Sequence, residues 1–113
     1  MKFLKSFKYA FSGMGYAASG RNLKIQLVCA GIVVMAGFYF KITFNEWLAI
    51  VICFGGVLSS EAMNTAIEKI GDFIHPQKNE QIGKIKDIAA GSVLIWAIAS
   101  LAVALIIFLP KIF

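Results

Sequence analysis

Three long apolar runs dominate the chain, at positions 25–40 (IQLVCAGIVVMAGFYF), 47–58 (WLAIVICFGGVL) and 88–109 (IAAGSVLIWAIASLAVALIIFL), with the charged residues between and around them. The last run holds about 22 residues without a charge, matching the roughly 20 that a helix needs to cross hydrocarbon. The first has about 16 and reaches spanning length once Leu23, the stem of Lys24 and Lys41 are counted at the interfaces. The second spans only if its helix continues into the polar segment 58–76, LSSEAMNTAIEKIGDFIHP, which carries Glu61 and Asn64 to the membrane edge. The pattern predicts helices over about 23–41, 45–74 and 86–109.

Ahead of the spans, Phe3, Leu4, Phe7, Phe11 and Met14 recur at helical spacing, while Lys2, Lys5 and Lys8 fall mostly elsewhere on the wheel. That is the pattern of a helix lying in the membrane interface, expected over 1–20. Gly13, Gly15 and Gly20 predict a bend before the first span. Lysines interrupt the stretch, so it does not read as a cleavable signal. Segment 75–83, HPQKNEQIG, reads as a polar loop opened by Pro76. The expected fold is an all-α membrane protein of one domain, 1–113, with a surface helix and three transmembrane helices.

Composition supports this reading, because 59% of the 113 residues are hydrophobic and only 15% are charged. The net charge of +5 would suit nucleic acid, but its distribution points elsewhere. Lys2, Lys5, Lys8, Arg21 and Lys24 precede the first span, and Lys69, Lys78, Lys84 and Lys86 lie in or near the second connection; Lys41 and Lys111 take the other side. The positive-inside rule then places the N-terminus and second connection in the cytoplasm and the C-terminus outside. Cys29 and Cys53 each sit inside an apolar run without metal or redox spacing, and read as small hydrophobes.

The unusual feature is a row of polar residues on the second predicted helix. Glu61, Asn64, Thr65, Glu68 and Asp72 follow one another at i, i+3, i+4, i+7 and i+11, which stacks them on one face. Each acid buried in lipid costs about 2.5–3.5 kcal/mol by insertion scales, so the row must face water, cations or protein. One reading makes Asn64 and Thr65 interhelical glue and the acids, Asp72 above all, surface charges. The other makes Glu61 and Glu68 a device for holding a divalent cation and taking a proton from a hydroxyl. Lys84, Lys86 and Asp87, just before the third span, serve either as topology anchors or as counter-charge and orienting group for a phosphate. Ala89, Ala90, Gly91 and Ser92 let another helix approach closely there.

The segments EAMNTAIEKIGDFI and KIKDIAAGSVL resemble the signature of the small bacterial integral-membrane diacylglycerol kinase and undecaprenol kinase family, over essentially the whole chain. No P-loop or protein-kinase motif is present, and that family needs none. The resemblance implies a homotrimer in the bacterial inner membrane that uses ATP and Mg2+ to phosphorylate a lipid alcohol at the cytoplasmic face. By matched position, Glu61 is the base, Asn64 orients the acids, and Glu68 binds the metal carried by ATP. Tyr9, Gln77, Lys78, Asn79, Lys86 and Asp87 contact the nucleotide, while Lys2, Glu61 and Ala90 meet the lipid. Two departures stand out. Gly20 occupies the place of a second metal-binding glutamate, and Asn79 that of a loop histidine, for which the chain's single histidine, His75, is no substitute. KIKDIAAGSV and RNLKI lie closer to the undecaprenol branch. A rival reading from another class is a non-enzymatic cation channel or transporter subunit, which requires acids continuing across the bilayer.

Overall fold

The computed structural model describes the backbone of residues 2–18 and 21–113 and the side chains of residues 2–13 and 23–113. Gly20 and the side chains of Met14 and Arg21 lie outside the described residues. The chain forms four helices, α1 (Lys2–Ala18), α2 (Arg21–Phe40), α3 (Phe44–Ile74) and α4 (Glu80–Ile112). Among the described residues there is no strand. Three stretches are long and apolar enough to cross a membrane, Leu23–Phe40, Phe44–Ile74 and Glu80–Ile112. Phe3, Leu4, Phe7 and Phe11 stay exposed on α1, an apolar face without a protein cover in the monomer. α1 runs helically through Gly13 and Gly15, and Gly20, the third glycine of the expected bend, lies outside the described residues.

Two boundaries follow from local chemistry. Thr43 caps α3 by accepting from the Glu46 backbone N–H at 3.2 Å, while Glu46 Oε1 accepts from the Thr43 N–H at 2.9 Å. That reciprocal pair satisfies two amides that a helix start otherwise leaves open. Asn79 caps α4 by accepting from the Ile82 N–H at 3.1 Å. The loop expected over 75–83 is therefore shorter, and α4 begins at Glu80 rather than near 86. Between α2 and α3 the chain reverses at Lys41, whose φ of 53° is left-handed.

Packing is tightest where small residues admit large ones. A Cβ added at Gly37 would stand 2.6 Å from the Trp47 ring, and one at Gly56 would stand 2.2 Å from Trp96. Trp96 thus lies directly on the α3 backbone, holding α3 against α4. Gly56→Ala is expected to destabilise the protein by about 1–3 kcal/mol through overpacking. Thermal melting in detergent checks this, and Trp96→Leu in the same chain should recover most of the loss. At the end of the bundle away from Glu61, Ile42, Ile50 and Ile107 form a buried cluster with Trp47, Phe40 and Phe108 around it. Lys111 closes that end by donating to Glu46 Oε2 at 2.8 Å.

Candidate active site

The length of α3 puts the polar row at a boundary. At 1.5 Å per residue, Glu61 lies roughly 26 Å from the start of α3, Asn64 roughly 30 Å, Glu68 roughly 36 Å and Asp72 roughly 42 Å. Against hydrocarbon about 30 Å thick, a helix starting at one interface carries Glu61 and Asn64 to the opposite edge and Glu68 and Asp72 beyond it.

The row does not share one environment. Glu61 and Asn64 are buried, at 5% and 6% exposure, although both are polar. Thr65 is half-buried, whereas Glu68 and Asp72 are exposed. Asn64 links the levels: its Nδ2 donates to Glu68 Oε1 at 3.1 Å. Its Oδ1 is buried and finds no hydrogen-bond partner among the described residues. An unmet acceptor at such depth costs about 1–3 kcal/mol, a cost that a bound ligand or solvent molecule would relieve. Glu61 is held from α2, where Gln26 Nε2 donates to Glu61 Oε2 at 3.4 Å.

Further along, Lys86 of α4 donates to Asp72 Oδ1 at 2.5 Å. Gly71 makes room for this, since a Cβ there would come within 3.1 Å of Lys86 Cε and 2.9 Å of Ile82 Cγ2. Exposed ion pairs contribute only about 0–1 kcal/mol, so the pair matters more for where it holds the ammonium than for stability. The surface-charge reading of Asp72 therefore gains a defined partner.

The other residues singled out by sequence are placed less closely. Lys2, Tyr9, Gln77, Lys78, Asp87 and Ala90 are exposed. Asn79 commits its side-chain oxygen to capping α4. His75 ends α3, its backbone N–H bonding Gly71 O and its Nδ1 lying 2.8 Å from Gln77 O. One end of the bundle thus gathers Glu61, Asn64, Glu68, Asp72 and Lys86.

Two features escaped the sequence reading. Gln26 is one, although a lone carboxamide within the apolar run 25–40 was a visible signal. The other is a cavity of about 310 Å³ between α2, α3 and α4, lined by Gln26, Cys29, Val33, Phe54, Leu58 and Leu101 among others. Its wall is almost wholly apolar, and Gln26 connects it to Glu61.

The donor set can be tested against a cation. Carboxylate and amide oxygens suit a hard divalent ion, and magnesium characteristically takes one or two carboxylates together with substrate phosphates and water. Glu68 and the unpartnered Asn64 Oδ1 fit that pattern. Among the described residues no group of three or more His, Cys, Asp or Glu side chains is placed to hold a metal alone.

Three membrane-length spans, with a buried carboxylate and an exposed one at one end of the bundle, define the class: a multi-pass membrane protein with an acidic site. Its chain matches the family model for prokaryotic diacylglycerol kinase over residues 8–108, and it belongs to that family of lipid kinases. It is 37% identical over 111 residues to the undecaprenol kinase of Bacillus subtilis (strain 168), an alignment covering 97% of this chain and 90% of that protein. It is 36% identical over 111 residues to the diacylglycerol kinase of Synechocystis sp. (strain ATCC 27184 / PCC 6803 / Kazusa), covering 95% of this chain and 62% of that protein. No solved structure matches. The family assignment makes the protein a lipid kinase and leaves the channel reading without support.

Proposed function

We propose that the protein transfers the γ-phosphoryl group of ATP to the hydroxyl of undecaprenol or a closely similar long polyprenol, at the cytoplasmic face of the bacterial inner membrane. The observation that carries the reading is the pairing of a buried carboxylate, Glu61, with an exposed one, Glu68, through Asn64. The buried acid suits a hydroxyl arriving from the bilayer, and the exposed acid suits a nucleotide arriving from water. Choice of acceptor is supported by the undecaprenol kinase relative, of which this chain spans 90%. The cavity beside Gln26 offers apolar surface for a lipid tail.

In this mechanism the acceptor hydroxyl gives its proton to Glu61 as its oxygen attacks the γ-phosphorus; the bond from that phosphorus to the bridging oxygen breaks, and ADP leaves with the electron pair. Magnesium bound with ATP would neutralise charge on the phosphate oxygens, held to the protein by Glu68 with Asn64 Oδ1 available beside it. Lys86, oriented by Asp72, supplies positive charge toward the nucleotide, and Asp87 next to it, with Tyr9, Gln77 and Lys78, lines the approach. Lys2 and Ala90 border the lipid side. Positioning of the two reactants contributes the larger share, up to about 7–11 kcal/mol. With glycine at position 20 the chain has no side-chain carboxylate to offer there. Three copies would assemble by their exposed apolar faces, such as Ile32, Met35, Ile95 and Ile98.

The test is phosphorylation in mixed micelles with labelled ATP, magnesium and either lipid alcohol. Label is expected in the undecaprenol product at the higher kcat/KM. Label in diacylglycerol alone would overturn the acceptor assignment, and label in neither would overturn the kinase mechanism.

A further inference from the structure

We infer that Gln26 is a positioning residue, whose carboxamide turns the Glu61 carboxylate so that one of its oxygens is tied and the other is presented to the incoming lipid hydroxyl. The inference deepens the function proposed above and rests on it.

Gln26 sits three residues from the start of the membrane-length part of α2, with Ile25 and Leu27 as neighbours. It lines the apolar cavity, and its Oε1 is buried without a hydrogen-bond partner among the described residues. A methionine or leucine would fill that wall without leaving an acceptor unmet, so packing alone does not favour glutamine here. Its Nε2 reaches across to Glu61 Oε2 at 3.4 Å. The orientation follows from chemistry, because an ionised carboxylate only accepts and the amide nitrogen is the end that donates. At 3.4 Å the bond is long, which makes it a weak tie between helices. It still fixes which carboxylate oxygen is engaged. Gln26 lines the cavity and reaches the base, so a tail lodged in the cavity would lie one side chain away from Glu61. The alternative role is interhelical glue between α2 and α3.

Kinetics on the full chain in mixed micelles separate the two. Gln26→Met keeps length and apolar volume but loses the donor, and Gln26→Glu keeps length but sets a second carboxylate against Glu61. Gln26→Met is expected to lower kcat about tenfold, the loss of one hydrogen bond to a charged group, with KM for ATP within about twofold and melting temperature unchanged. Gln26→Glu should lose more. Full kcat in both variants, or a loss in Gln26→Met matched by lower melting temperature and restored in Gln26→Glu, would overturn the inference. Glu61→Gln, run in parallel, tells the failures apart. If it is inert while both Gln26 variants keep full rate, only the role of Gln26 falls; if it keeps full rate, the base assignment falls and this inference with it.

Discussion

Glu61→Gln is expected to lower kcat by about 10²–10⁴-fold and to leave KM for ATP within about twofold, the signature of a group that acts on the reacting hydroxyl rather than on the nucleotide. The amide is nearly isosteric and can still receive the Gln26 N–H on its oxygen, so the site is kept while the proton acceptor is lost. Burial decides the size of the effect. At 5% exposure Glu61 has little bulk water around it, so a solvent base is poorly placed to substitute. Steady-state rates of labelled product formation against ATP concentration check both parameters. A loss below about tenfold, or a rise in KM for ATP as large as the fall in kcat, would remove Glu61 from the proton-transfer role.

Glu68→Gln is expected to act on the other reactant in the proposed mechanism. It should raise KM for ATP and the magnesium concentration for half-maximal rate by at least about tenfold, because a carboxylate ligand becomes a neutral amide. Its neighbour gives a graded comparison: Asn64→Ala removes the bond to Glu68 Oε1 and the neutral Oδ1 donor but leaves the carboxylate, and should show a smaller shift in the same direction. Titration of ATP turnover against free magnesium distinguishes the two variants. Equal, mild effects from Glu61→Gln and Glu68→Gln would mean that the two acids do not divide the work between lipid and nucleotide.

The different surroundings of Glu61 and Glu68 show where the sequence ran out. The stripe Glu61, Asn64, Thr65, Glu68 and Asp72 was legible because a 3.6-residue helix sends those spacings to one face, and its place at the membrane edge followed from counting residues against hydrocarbon thickness. Periodicity says nothing about what stands opposite. The burial of Glu61 and exposure of Glu68 depend on neighbouring helices, and the partner of Lys86 is Asp72, 14 positions back, across a connection whose length the pattern overstated. Loop 75–83 read as longer because its polarity masked the Asn79 cap, a single side-chain bond that starts α4 early.

The sequence by itself determined the number of spans, the surface helix, the polar row and, through its motifs, the family, since these depend on local periodicity, run length and residue order. Tertiary structure alone decided that Gln26 reaches Glu61, that Gly56 and Gly71 make room for Trp96 and Lys86, and that a cavity opens between α2, α3 and α4. The physical reason is that helix pitch fixes which residues share a face, whereas the approach of one helix to another is set by side-chain volumes meeting across distant parts of the chain.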